Sequence, residues 1–197
     1  MFLNKIFNSI NLIRKPKKID SVVFISKHKH WAEFGSNKEE FEKWVSETCG
    51  IYCLKMLGDT LNLTNKITIF ELTMQVFKAG GFKIEKDGTI TGVFHKPLMQ
   101  IVKSFGIKGR VIRKLNHTLI KKYLFQGKIV ILSIDLHKVN KTLSGGHLIL
   151  IHKYDESLND YILHDCANVL NNEGSNISVS TEYIESISNS KGLVWWN

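Results

Sequence analysis

Apolar side chains recur every three or four positions in the stretch after Thr48, at Ile51, Leu54, Leu57 and Leu61. This spacing places one apolar face along a helix, and it predicts a buried helix that begins near Cys49 and ends near Leu61-Asn62. Residues 39–44 are more polar and predict a separate short helix or loop. The buried helix would therefore carry a thiol in its first turn.

The remainder of the first half is also mainly helical in pattern. Residues 68–71 read Thr-Ile-Phe-Glu, a capping box, and the helix that they open should stop at Ala79-Gly80-Gly81. Residues 96–105 predict a second amphipathic helix, whereas residues 82–91 predict an extended loop or weak strand. Ile19–Ser26 is the one segment before these helices that we predict to be a strand.

Strand patterns dominate the second half. Lys128–Asp135 is a nearly continuous apolar run of strand length, which predicts a central strand. Further strands are expected at 109–113, 147–152, 161–166 and 193–196, with helices at 118–125 and 181–187. Because the turns between residues 129 and 166 are short, these strands should form an antiparallel meander. We therefore predict an α+β fold, in which a helical first half packs on an antiparallel sheet from the second half.

Length and charge divide the chain into a short extension and one domain. The chain has 197 residues and a formal net charge of +9, and residues 1–18 carry Lys5, Arg14, Lys15, Lys17 and Lys18 without any acidic residue. We predict a basic amphipathic extension over residues 1–18 and a single domain over residues 19–197. The extension is expected to dock on the domain, and the alternative is a helix that contacts anionic lipid at a membrane surface.

The number of cysteines indicates the redox compartment, and the distribution of charge indicates the class of partner. Three cysteines are an odd number and too few for a disulfide framework, so we predict a reducing compartment and a cytoplasmic location. A nucleic-acid-binding protein would more often carry an Arg-rich stripe on its folded body. We therefore expect no nucleic-acid partner.

Three residues form a candidate catalytic set. A thiol at a helix N-terminus meets free backbone N–H groups and the positive end of the helix dipole, and both favour the thiolate at Cys49. Gly145-Gly146 places His147 at the start of one predicted strand, and Asp165 ends the next. If these strands pair as a hairpin with its turn near Glu156–Asn159, the acid would orient the imidazole, which would in turn activate Cys49.

The stretch Cys49-Gly50-Ile51-Tyr52-Cys53-Leu54-Lys55-Met56, together with Gly146-His147 and His164-Asp165, resembles the bacteriocin-processing, double-glycine leader peptidases. These belong to the papain-like cysteine proteases, and the resemblance covers about residues 19–196. It implies a papain-like fold, hydrolysis of a peptide or protein substrate after small residues, and no cofactor or metal. It also implies that Cys49 is the nucleophile, His147 the base and Asp165 its orienting acid.

The chain departs from the family pattern at two places. The family usually carries a glutamine a few residues before the nucleophile, which helps to form the oxyanion hole, but residues 43–48 read Lys-Trp-Val-Ser-Glu-Thr. Loss of one such donor can slow catalysis on the order of a hundredfold. The aspartate is usually followed by proline, and here Cys166 follows, which should only loosen a turn. These departures leave open a second function, a papain-like module that binds a peptide without cleaving it.

Other interpretations of the cysteines carry less weight. We expect Cys53 to lie in the core, one turn into the apolar face, and Cys166 to be disfavoured as a nucleophile by the neighbouring negative charge of Asp165. A zinc site built from Cys49, Cys53, His164 and Cys166 has suitable ligand types but lacks the usual ligand spacings. A nucleic-acid role would have to depend on residues 1–18.

Overall fold

The computed structural model of the chain describes residue 19 and residues 21–196. The helices are α1 (Trp31–Phe34), α2 (Lys38–Trp44), α3 (Cys49–Thr60), α4 (Ile69–Lys78), α5 (His95–Ser104), α6 (His117–Phe125), α7 (Leu136–Val139) and α8 (Thr181–Ile187), and a 3-10 turn at Val45–Glu47 joins α2 to α3. The strands are β1 (Phe82–Ile84), β2 (Ile90–Gly92), β3 (Lys108–Ile112), β4 (Ile129–Asp135), β5 (Gly146–Asp155), β6 (Asp160–His164), β7 (Ile177–Ser180) and β8 (Ser188–Trp196). The predicted α+β layout is confirmed.

Six strands form one antiparallel sheet in the order β3-β8-β4-β5-β6-β7, and β1 and β2 form a separate hairpin. The run β4-β5-β6 is the predicted meander, because each strand pairs with the next through a short connection. The last strand, β8, returns to lie between β3 and β4. Helices α3, α4 and α5 share a core with one face of this sheet.

The apolar run of β4 is explained by burial of the strand on both faces. Ile129 and Ile131 belong to a core shared with α3, α4 and α5. Val130, Leu132 and Ile134 belong to a second core, shared with α6 and α8. A strand with helices on both faces has no solvent side, and so it loses the alternation of polar and apolar residues that marks a half-exposed strand.

Helix α3 is held against the sheet along its whole apolar side. Ile51, Leu54 and Leu57 are fully buried, and the helix packs on β5. Gly50 allows the close approach, since a Cβ at this position would collide with Val93 and lie 2.9 Å from Leu148 Cδ1. The N-terminal end of α3 is therefore positioned directly against the start of β5.

The strand predicted for Ile19–Ser26 is wrong. The described residues of this segment pair with no strand, and two of their backbone groups bond to side chains instead. Val23 N donates to Thr60 Oγ1 at 2.9 Å, and Val22 O lies 2.9 Å from His164 Nε2. A short apolar run indicates burial, and it does not indicate which partner takes the backbone hydrogen bonds.

The remaining elements agree with the sequence prediction in part. The stretch predicted as an extended loop or weak strand, residues 82–91, is the β1-β2 hairpin, and β7 was not predicted. The capping box of Thr68 and Glu71 and the helix at Thr181–Ile187 are confirmed. The basic extension predicted over residues 1–18 lies outside the described residues, so the division of the chain at residue 19 stays a prediction. Within residues 21–196, no helix is both long enough and apolar enough to cross a membrane.

Candidate active site

Cys49 is the first residue of α3 and is half-buried. The residue before it, Thr48, uses its hydroxyl to donate to Val45 O at 2.9 Å and makes no side-chain cap to the helix. The thiol therefore lies at the positive end of the helix dipole, where N–H groups of the first turn are available to an anion.

His147 reaches the thiol from the start of β5. The β5-β6 hairpin turns between Asp155 and Asp160, as predicted, and brings His147 and Asp165 to the same end of the sheet. A bulge at His152 shifts the register of this hairpin between Ile151 and Lys153. The three residues that were predicted to act together are thus brought together by one helix end and one hairpin.

The imidazole of His147 is buried and fixed by Asp165. His147 Nε2 lies 2.8 Å from Asp165 Oδ1, and the Asp165 side chain is fully buried. The carboxylate also accepts hydrogen bonds from Ala167 N at 3.1 Å and Leu170 N at 2.9 Å. Because Nε2 is occupied by Asp165, Nδ1 is the ring nitrogen that remains for the thiol of Cys49. The turn after Asp165 is held by these backbone bonds although proline is absent.

The three groups favour the charged forms of one another. Burial by itself would raise the pKa of the Cys49 thiol, but the hydrogen bond to His147 and the positive charges of His147 and Lys27 outweigh it, so the pKa is lowered. Burial opposes the charged form of His147, yet the hydrogen bonds to Asp165 and Cys49 raise its pKa to about 9. Burial likewise opposes ionisation of Asp165, and His147 with the two backbone donors lowers its pKa overall. Each of these shifts favours a Cys49 thiolate beside a His147 imidazolium over the neutral pair.

The other two cysteines lie in different environments. Cys53 and Cys166 are buried, and burial together with nearby negative charge raises the pKa of each thiol. Cys53 Sγ donates to Leu148 O at 3.7 Å, as expected for a core thiol. Over residue 19 and residues 21–196, no group of three or more His, Cys, Asp or Glu side chains is placed to hold a metal ion, so the zinc alternative finds no support there.

Two side chains of the segment that lacks the glutamine are engaged in contacts with each other or with α2. Lys43 lies over the ring of Trp44 at 5.7 Å, and Trp44 Nε1 donates to Glu40 Oε2. A cation from outside this segment lies close to it. Lys27 Nζ donates to Ser46 O at 3.4 Å, and the charge of Lys27 lowers the pKa of Cys49. Sequence reasoning did not single out Lys27, which is remote from Cys49 along the chain and has no motif of its own.

Solved structures with the same fold include peptidases. A double glycine motif protease from an AMS/PCAT transporter, in complex with the leader peptide, aligns with a TM-score of 0.55 at 11% identity, over 93% of this chain and 95% of that one. A C39-like peptidase from Bacillus anthracis aligns with a TM-score of 0.57 at 14% identity, over 90% and 96% of the two chains. The peptidase domain of Streptococcus ComA, a bifunctional ABC transporter, gives a TM-score of 0.51 at 17% identity, over 77% and 92%. At these identities the likeness concerns the fold.

No curated protein matches the chain significantly in sequence. The model of the Peptidase_C39 like family, in contrast, matches residues 19–190, which is most of the chain. The match includes the start of α3, the start of β5 and the end of β6, where Cys49, His147 and Asp165 lie. The chain therefore belongs to the Peptidase_C39 like family.

Proposed function

We propose that this protein is a cysteine peptidase that hydrolyses a peptide bond with Cys49, His147 and Asp165. The observation that carries the proposal is the 2.8 Å contact between the His147 ring and the buried Asp165 carboxylate, with the Cys49 thiol at the start of α3 under the influence of His147. Membership of the peptidase family supports it, as does a structural relative bound to a leader peptide.

The first chemical step is attack of the Cys49 thiolate on the carbonyl carbon of the scissile bond. Electrons of the carbonyl move to its oxygen, and the backbone N–H at the start of α3 stabilises the oxyanion. His147, as imidazolium, gives its proton to the nitrogen of the leaving amine as the C–N bond breaks. The products of this step are a free amine and an acyl group on the sulfur of Cys49.

The second step releases the acyl group. A water molecule gives a proton to the now neutral His147 and attacks the thioester carbonyl, and the C–S bond then breaks to restore the thiolate and the imidazolium. Asp165 takes no proton in either step. Its role is to orient the ring and to stabilise the imidazolium, which the 2.8 Å contact and the buried carboxylate support.

The expected substrate is a leader or small peptide that is cleaved after small residues, as the family resemblance implies. The test uses synthetic peptides that are identical except for a central Gly-Gly, Ala-Gly or Leu-Leu pair, with the products identified by mass spectrometry. The protein should cleave the Gly-Gly peptide fastest. The Cys49→Ala variant should lose roughly a thousandfold or more of this activity, because the nucleophile is gone, while its thermal stability changes little.

Cys53→Ala is the matched control for this experiment. It removes a thiol one turn further along the same helix, from a position in the core, so it should lower stability through packing and leave cleavage largely intact. Cleavage by Cys49→Ala at the rate of the unaltered protein would show that the nucleophile is misassigned.

A second candidate function is supported by the absence of a glutamine from residues 43–48. A chain that forms a poor oxyanion hole would act as a catalytically weak or inactive module that binds peptides. In that case the Gly-Gly peptide would bind to both the unaltered protein and Cys49→Ala with equal affinity, and neither would cleave it.

A further inference from the structure

A groove of about 720 Å³ lies between the N-terminal end of α5 and the sheet strands β3, β8 and β4. Its floor is apolar. The apolar residues of the floor are Val93 and Phe94, just before α5, Pro97 in its first turn, and the half-buried Val111 and Ile112 of β3. Phe94 leaves 42% of its surface exposed, so the groove offers apolar surface for side chains of a bound chain.

The rim of the groove is positively charged. Lys96, Arg113 and Lys191 are exposed on three different elements around it, and His95 lies beside Lys191. Burial and the charge of Lys191 lower the pKa of His95, so the lysines and the arginine supply the positive charge at neutral pH. None of the described residues that line the groove is acidic.

The groove lies near the residues that follow the nucleophile and precede the base in the chain. On one side, Val93 lies against Gly50, the residue after Cys49. On the other side, Ser133 Oγ lies 4.0 Å from the place that a Cβ on Gly146 would take, and Gly146 precedes His147. A peptide bound at Cys49 would therefore need to extend by only a few residues, at about 3.3 Å each, to reach the groove.

We propose that this groove binds an acidic segment of the peptide substrate, with aspartate or glutamate side chains on the cationic rim and apolar side chains on the floor. The inference rests on the proposed peptidase function, since it assigns the groove to the same substrate. Because the three positive charges lie apart, they should favour a bound segment with several acidic residues over a segment with a single acidic residue. The apolar floor and the proximity of Val93 to the first turn of α3 favour a peptide over a nucleic acid.

Binding is measured with the Cys49→Ala variant, so the result does not depend on cleavage. The probes are fluorescein-labelled peptides of about 15 residues with a central Gly-Gly, and fluorescence anisotropy gives the dissociation constant. One pair of peptides carries four Glu or four Gln before the Gly-Gly, and a second pair carries them after it. We expect one Glu peptide to bind about fivefold or more tightly than its Gln partner at low salt, because exposed charge pairs contribute modestly and several act together.

The groove variant is Arg113→Glu with Lys191→Glu in the Cys49→Ala background. It should abolish the preference for the Glu peptide. The control reverses two lysines on a separate surface depression beside α4, Lys66→Glu with Lys78→Glu, and changes the net charge equally. This control should keep most of the preference. The preference should also shrink in 1 M NaCl, where the screening length is about 3 Å.

Three outcomes would overturn the proposal. The first is equal binding of the Glu and Gln peptides in both pairs, and the second is an equal loss of preference in the groove variant and the control. The third is a single-stranded DNA oligonucleotide that binds as tightly as the Glu peptide and responds to the same groove variant. Failure of the unaltered protein to cleave the Gly-Gly peptide contradicts the peptidase function and leaves this binding result standing separately.

Discussion

At the residue scale, the three thiols differ because of what surrounds each of them. Cys49 lies between a helix end, an imidazole and the Lys27 ammonium, and its pKa falls although burial opposes this. At Cys53 and Cys166, burial and negative neighbours outweigh the opposing contributions, which for Cys166 include the charge of Lys27, and the pKa of each thiol rises. A chemical probe of thiolate character should therefore separate Cys49 from the other two.

Alkylation by iodoacetamide between pH 4 and 9, read by mass spectrometry at each cysteine, measures this separation. We expect Cys49 to react well below its ordinary thiol pKa of about 8.5. His147→Ala should remove the advantage, because it removes both the hydrogen bond and the positive charge. His30→Ala, an exposed histidine elsewhere, serves as the control. A Cys49 thiol that is as slow as Cys53 near pH 6 would contradict the assignment.

Lys27 should contribute to the same effect, but less than His147. Lys27→Met keeps most of the side-chain volume and removes the charge, so the pKa of Cys49 should rise by less than about 1. Lys29→Met removes an exposed charge two residues further along the chain and should leave the pKa of Cys49 unchanged. Equal alkylation profiles for Lys27→Met and the unaltered protein would mean that Lys27 does not contribute, and that the helix end and His147 suffice to lower the pKa of Cys49.

At the scale of elements, the site depends on how closely α3 approaches β5. The nucleophile belongs to the helix and the base belongs to the strand, so their separation is set by packing between Gly50, Val93 and Leu148. A hydrogen-bonded pair tolerates little displacement, since a shift of about 1 Å can cost a hundredfold in rate.

Gly50→Ala tests this packing. The new methyl group would collide with Val93 and crowd Leu148, and such overpacking costs about 1–3 kcal/mol, offset in part by a helix-propensity gain of up to about 1 kcal/mol. We expect lower stability in urea and slower alkylation of Cys49 at pH 6. Gly146→Ala is the control, because the nearest atoms to its Cβ would be 3.8 and 4.0 Å away, and it should change stability by less than about 0.5 kcal/mol. Equal stability of Gly50→Ala and the unaltered protein would contradict the packing argument.

At the scale of the whole molecule, two neighbouring histidines, the half-buried His152 and the buried His164, lie where the sheet meets the N-terminal segment. The rings of His152 and His164 have centroids 4.7 Å apart. His164 Nδ1 accepts from Asn176 N at 3.0 Å, which leaves Nε2 to donate to Val22 O at 2.9 Å. His152 Nε2 is buried and lacks a hydrogen-bond partner among the described residues. Both rings are therefore held neutral.

This pair should make the fold sensitive to acid. Burial and the proximity of His164 lower the pKa of His152 from 6.5 to about 4, so the unfolded chain takes up a proton that the folded chain refuses. The corresponding stability is complete above pH 6.5 and is lost as the pH falls from 6.5 towards 4, with a loss of about 2 kcal/mol by pH 5. His147 acts in the opposite sense, because its raised pKa adds stability below pH 6.5 that disappears as the pH rises through 9.

Urea unfolding at pH 7.5 and pH 5.0 checks this expectation with His152→Gln, which stays neutral at both values. Between pH 7.5 and pH 5.0, the free energy of unfolding should fall by less, or rise by more, in the variant than in the unaltered protein. His137→Gln, at an exposed histidine, is the control and should keep the full difference. An unchanged pH dependence in His152→Gln would refute a neutral buried His152.

Local sequence was sufficient for much of this protein. The spacing of apolar residues after Thr48 predicted α3 with Cys49 in its first turn, and the apolar run of β4 predicted a central strand. Gly146-His147 and His164-Asp165 indicated the two remaining candidates, and the short turn between them predicted their hairpin. These features depend on residues within a few positions of each other, so they can be recognised from the sequence alone.

Other features depended on contacts between distant segments. Ile19–Ser26 was predicted as a strand, but hydrogen bonds of Val22 and Val23 go to His164 and Thr60, far along the chain. The approach of Lys27 to Cys49 and the cationic rim around the groove also arise only when separate elements meet. Sequence therefore determined the elements and the candidate residues. Tertiary structure decided their neighbours, because the partner of a side chain or a backbone group is chosen by packing in space and not by position in the chain.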